Sequence, residues 1–280
     1  MLDFRYHALS LVAVFLALGI GILLGTTIGD QLVSEANRDL SSSLRGDVLE
    51  ARREARGARE ALEDRERFIG ASFERIAGER LRGRSVAIVA SGELPDDLEG
   101  NVRDAVEDAG GEVGGVAEIA APPSLSEIGA AIPRRFDGLL ANDPRTAALG
   151  RAVGRGLVTG GTVPRRLADR FPARFRGDFA RSDAVVYFRD PGAARSKDQE
   201  RFEQGLIDGL GSLREPVVGV ETLETDPSQI AFYEDRMPAS VDAVDSPAGR
   251  IALVLALDGA RGSFGFKSSA DGPLPEPRGR

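Results

Sequence analysis

Most of the side chains that carry out chemistry on their own are scarce in this chain. It has no cysteine and one histidine, His7, close to the N-terminus. A Cys–His or Ser–His pair therefore cannot be assembled in the part that follows. Copper(I) calls for thiolate or thioether ligands, and copper(II) favours imidazole with nitrogen or oxygen donors. Beyond the N-terminal segment Met237 is the one donor of either soft or imidazole type, too few for a tight copper site. Acid pairs such as Asp96-Asp97 stand at a helix start, where they complement the dipole rather than pair as general acid and base. No calcium-loop spacing is present. The segment GRGLVTGGTVP (Gly154–Pro164) is glycine-rich but follows a helix and lacks the P-loop lysine. It reads as a turn, with a small-anion cradle as the other reading. No G-x-G-x-x-G follows the first strand, and neither a cofactor nor a resident metal is expected.

What remains is the place where open parallel sheets bind ligands, beyond the carboxyl ends of their strands. Those ends read as Ser91-Gly92-Glu93, Asn142-Asp143 and Arg189-Asp190. Ser91, Asn142 and Asp143 are the candidate ligand or partner surface.

Strands and helices alternate across the segment that must position these residues. SVAIVAS (Ser85–Ser91) is an apolar, β-branched run bounded by turn signals and reads as a buried strand. A helix over Pro95–Ala109 closes at Gly110-Gly111. A strand follows near Glu112–Ile119, then a short helix from Ser124, a strand DGLLAND (Asp137–Asp143) and a helix from Pro144. DAVVYF (Asp183–Phe188) and PVVGVE (Pro216–Glu221) are further strands, separated by a helix from Ser196 to about Leu213. Ser228–Asp235 reads as a short helix. Ser246-Pro247 is a cap and first-turn signal opening a last helix with Ile251, Ala252 and Leu255 on one face. This alternation predicts a Rossmann-like α/β domain over residues 83–267, with a mostly parallel sheet covered on both faces. The tail 268–280 lacks apolar periodicity and reads as disordered.

Before the domain, residues 30–82 hold no proline and dense, balanced charge. Apolar residues recur at heptad spacing along Val48, Ala55, Leu62, Ile69 and Ile76, with a stutter at Leu40, Leu44 and Val48. Arg59 with Glu63 and Glu63 with Arg67 add helical ion pairs. A coiled-coil stalk forming a parallel homodimer is the expectation. A solitary charged helix folded back on its own domain is the alternative.

Before the stalk lies an uncharged run, Ala8–Gly29. At about 1.5 Å per residue it covers roughly 33 Å, enough for a bilayer core of about 30 Å. Arg5 and the free amine in the head 1–7, against Asp30 and Glu35 beyond the run, favour an N-terminus in the cytoplasm and a C-terminal domain outside it. A cleaved signal peptide would show a shorter apolar region and a small-residue cleavage site, so an uncleaved single-pass anchor is preferred. Ala13, Ala17, Gly21, Gly25 and Gly29 recur every fourth residue, a stripe that lets membrane helices pack closely. All but two of the 36 basic residues are arginine, the exceptions being Lys197 and Lys267. A GC-rich coding sequence explains that bias. The net charge of −8 and the lack of a basic, aromatic-rich patch argue against nucleic acid as a partner.

The opening MLDFRYHALSLVAVFLALGIGILLG closely resembles the start of the MctB family of copper transport proteins. The resemblance continues through the charged stalk, GRGLVTGG and VDAVDSPAGRIALVLAL (Val241–Leu257), and so covers almost the whole chain. It implies copper efflux or passage through an outer membrane. The family also includes SteB-like single-pass envelope proteins, which implies a SteA-like partner in cell-wall and division control. Copper handling needs ligands, or a barrel of alternating strands, that these residues do not supply. The residues point to a non-enzymatic, membrane-anchored, dimeric scaffold that binds an envelope partner. A copper homeostasis component, and an envelope hydrolase using sheet-end carboxylates, are the alternatives.

Overall fold

The computed structural model describes residues 4–132, 134–140 and 142–275. Residues 1–3, 133, 141 and 276–280 lie outside them, as do the side chains of residues 4–5, 26–43 (Gly29 among them), 45 and 134. Two units divide the chain, Met1–Asp64 and Arg65–Arg280. Helix α1 runs over Phe4–Ile76. Within it Tyr6–Gly25 is apolar and long enough to cross a membrane, and Ala13, Ala17, Gly21 and Gly25 are exposed.

The second unit starts before residue 83. Ile69 and Phe73 share a face of the last turns of α1, and Ala77 and Leu81 follow in the turn after it. Ala77 and Leu81 are buried, and Ile69 and Phe73 pack partly buried against the same core. Ile69 therefore takes part in the domain's own packing. Val48, Ala55 and Leu62 remain exposed, and Ile76, at the helix end, is also exposed.

Seven strands form one sheet in the order β3-β2-β1-β4-β5-β6-β7. They are β1 (Ser85–Ser91), β2 (Glu112–Ile119), β3 (Phe175–Gly177), β4 (Ala184–Arg189), β5 (Val217–Val220), β6 (Ala239–Val241) and β7 (Gly262–Phe264). Every pairing is parallel except β2 with β3. Side chains alternate between two cores, as the pleat requires. Val86, Ile88 and Ala90 face α2 (Asp96–Asp108) and α8 (Pro247–Leu257), together with the end of α1. Val89, Val185 and Tyr187 join the opposite core, built on α4 (Thr146–Thr159) and α6 (Lys197–Leu210). Helices α3 (Leu125–Ala131), α5 (Thr162–Arg170) and α7 (Ile230–Glu234) complete that side.

Three expectations change. The described residues of DGLLAND form no strand: Gly138 and Asn142 take positive φ angles of 67° and 61°, which an extended strand does not tolerate. The glycine-rich segment is mostly helical, spanning the end of α4 and the start of α5. Its glycines serve packing. A Cβ at Gly154 would overlap the Leu206 carbonyl on α6, and one at Gly205 would overlap the Ala147 carbonyl on α4, so the two backbones touch. The described part of the tail is held: the Asp271 carboxylate accepts the Ser263 N–H at 2.9 Å, and Leu274 packs against the first core.

Candidate functional site

Strand order fixes where a site can be. The chain leaves β1 toward β2 on one side and later returns to β4 on the other, so the order reverses between β1 and β4. The crevice beyond their carboxyl ends is the usual ligand position in such sheets. Here Ser91 pairs in register with Arg189. Side chains of the protein itself fill the crevice. A Cβ on Gly92, whose φ is 114°, would overlap the Asp190 side chain lying against it. The Arg195 guanidinium donates to the Ser91 carbonyl at 3.2 Å and to the Ala193 carbonyl at 2.8 Å.

Helix α6 brings the central carboxylate. A capping box starts it: the Gln199 N–H donates to the Ser196 hydroxyl, and the Ser196 N–H donates back to Gln199 Oε1. One turn on, Glu203 points to the sheet and is 5% exposed. It accepts the Tyr187 hydroxyl at 2.7 Å and Arg189 Nε at 3.1 Å. Arg195 Nε lies 3.3 Å from its other oxygen, within ion-pair range but too poorly aligned for a hydrogen bond. Burial, then the Glu203 charge, pushes the Tyr187 phenol well above its ordinary pKa. Tyr233 is likewise pushed up, chiefly by burial. Its hydroxyl accepts the Arg189 N–H and donates to the Val220 carbonyl.

A second buried group lies beyond β5 and β6. Glu221 is fully buried and accepts the Ser228 hydroxyl at 2.7 Å, the Gln229 N–H at 2.5 Å and Lys267 Nζ at 2.6 Å. Lys267 also donates to the Thr225 carbonyl at 2.8 Å. Asp242, also fully buried, accepts the backbone N–H groups of Phe266 and Lys267 at 2.8 Å each. Gln229 accepts from Arg189 and so links the two groups. Among the described residues Glu203 thus faces two guanidiniums, Glu221 faces Lys267, and Asp242 is held by backbone N–H groups alone. The arrangement ties loops together.

Of the three sequence candidates, only Ser91 belongs to the crevice. Asn142 donates its N–H to Asp198 at 2.6 Å. Asp143 accepts the Arg145 N–H at 2.8 Å and the Arg145 guanidinium, which holds its carboxyl below the ordinary value, in the turn just before α4. Tyr187, Glu203, Arg195, Glu221 and Lys267 were not singled out from the sequence. One signal was present: in a chain that uses arginine almost everywhere, Lys267 is one of two lysines. Met237 is buried in the second core. Among the described residues no group of three or more His, Cys, Asp or Glu could hold a metal ion.

The fold and this edge define an α/β domain with a filled strand-end crevice, in a chain that begins with an apolar helix of membrane-spanning length. The chain belongs to the MctB family: the family described as "Copper transport outer membrane protein, MctB" matches residues 1–275. Relatives named "Copper transporter MctB" from Mycobacterium bovis and from two strains of Mycobacterium tuberculosis are 38% identical to it over 117 residues. That match covers 40% of this chain and 36% of each relative, so it spans about a third of their length.

Proposed function

We propose that this protein is a membrane-anchored cell-envelope scaffold that dimerises through α1 and presents its α/β domain to a protein partner. The observation that carries the reading is the exposed heptad series on α1. Val48 and Leu62 are 48% and 55% exposed, and Ala55 lies open between them. A helix this long is not stable in water by propensity alone, and such a row is what a second copy would cover. The Ala13, Ala17, Gly21, Gly25 stripe offers a matching face in lipid. The head's Arg5 supports an N-terminus in the cytoplasm and a domain outside it. A reporter active only outside the cytoplasm, fused after Arg280, tests that sidedness. The filled crevice supports a binding role over catalysis.

Mass measurement of the full chain in non-ionic detergent tests the dimer. Twice the chain mass is expected, falling to one chain in the Gly21→Ile/Gly25→Ile/Leu62→Glu variant. A single-chain mass for the unaltered protein would refute it.

Copper transport is the second reading, favoured by the family description and the relatives' names. In that case copper is cargo. The only thioether in the α/β domain is the buried Met237, so the soft ligands would come from a partner.

A further inference from the structure

We propose that the groove beside the filled crevice binds a phosphate-bearing anion. It is a cavity of 620 Å³, within the range for small-molecule sites. Arg189, Lys197, Arg201 and Arg236 line it, against the carboxylates of Glu200 and Glu203. A cationic groove stands out on a chain of net charge −8.

Acids offset part of the groove's positive charge: Arg201 pairs with Asp198 at 3.2 Å and Arg236 with Asp235 at 3.7 Å. Glu203 is committed to two guanidiniums at once, Arg189 at 17% and Arg195 at 7% exposure. Among the described residues neither arginine has a second carboxylate, so this group, of which Arg189 and Glu203 line the groove, carries one positive charge more than its carboxylate. Burying a charge without a counter-ion is costly, and an anion in the groove would supply one. Tyr187 stays protonated and adds no negative charge.

Donors are also open. Arg236 uses Nε on Gln204 and Nη1 on the Phe232 carbonyl and the Asp235 carboxylate, which leaves Nη2. Arg201 gives Nη1 to Asp198, which leaves Nε and Nη2. Lys197, the second of the two lysines, has no hydrogen-bond or ion-pair partner among the described residues. The Phe232 ring fixes the wall, with the Arg189 and Arg236 guanidiniums 4.1 and 4.3 Å from its centroid. Two arginine forks and one ammonium around one cavity suit phosphate oxygens, which arginine binds in bidentate fashion. A soluble phosphorylated compound and a phospholipid headgroup share that chemistry.

The test titrates inorganic pyrophosphate by calorimetry into the full chain held in discs of uncharged phosphatidylcholine. Saturable binding of one pyrophosphate per chain is expected. Lys197→Gln/Arg201→Gln should weaken it tenfold or more, and Arg155→Gln/Arg166→Gln, which changes exposed arginines elsewhere, should leave it within twofold. Adding phosphatidylglycerol to the discs separates the sources. Competition with pyrophosphate supports the proposal with a headgroup as ligand, and no competition supports it with a soluble one. No saturable binding, or equal weakening in both variants, overturns it.

Discussion

Replacing Lys267 by methionine keeps the side-chain stem and removes the charge. The consequence follows from Glu221, which is fully buried, and from Lys267, whose side chain is 18% exposed. The variant leaves the carboxylate with two neutral donors, the Ser228 hydroxyl and the Gln229 N–H. Breaking a buried ion pair from one side costs about 3–5 kcal/mol, because the remaining charge stays buried. For a domain of this size each kcal/mol lowers Tm by about 2–4 °C, so a fall of about 6–20 °C is expected. The assay is thermal unfolding of the full chain followed by the near-ultraviolet signal of its tyrosines. Removing both charges, in Glu221→Gln/Lys267→Met, should cost less than the sum of the single changes. Arg80→Met breaks the exposed Arg80–Asp258 pair at 3.1 Å and serves as the comparison. It should cost about 1 kcal/mol or less. A Lys267→Met protein melting within about 2 °C of the unaltered one would refute the view that this pair holds the loops beyond β5 and β6.

Two further outcomes follow from the same edge and from the donor count. Tyr187 and Tyr233 titrate above the ordinary 10.0 when folded, so the folded state keeps protons that the unfolded state loses. Their contribution is complete below pH 10 and is lost as pH rises beyond it, as unfolded tyrosines ionise. Denaturant midpoints should fall above pH 10, and Tyr187→Phe should flatten that fall while lowering stability at neutral pH. An equal slope in the variant would count against the assignment. In a competition titration against a copper(I) chelator, the full chain should not bind copper(I) at sub-micromolar free metal. Stoichiometric binding there would restore copper as this chain's own ligand.

The sequence was most legible where apolar runs were long and their ends marked. SVAIVAS, DAVVYF and PVVGVE became β1, β4 and β5, and Ser246-Pro247 opened α8 with the Ser246 hydroxyl accepting the Gly249 N–H. The three-residue strands β3, β6 and β7 are too short to show an alternation and owe their form to neighbours in the sheet. DGLLAND misled because its apolar pair sits between two positive-φ residues, and only backbone angles separate such a turn from a strand. Glycine in Gly154–Pro164 was read as turn chemistry, yet Gly154 serves a helix–helix contact that depends on α6, more than forty residues later. Ile69 fits the heptad spacing, and the core it packs against is distant in sequence. The ion network was legible only in part. Arg189 could be placed at a strand end, but Glu203, Glu221 and Lys267 come from separate elements and meet only on folding.

Cysteine crosslinking along α1 tests the scaffold reading most directly, and a chain with no cysteine of its own is suited to it. Single changes Val48→Cys, Ala55→Cys and Leu62→Cys place a thiol on the exposed heptad series, and Arg53→Cys and Glu60→Cys place one off it. The full-length variants would be oxidised in native membranes and resolved by mass. A parallel dimer predicts strong same-residue crosslinking at 48, 55 and 62 and little at 53 and 60. Equal crosslinking at all five positions, or none at any, would contradict it.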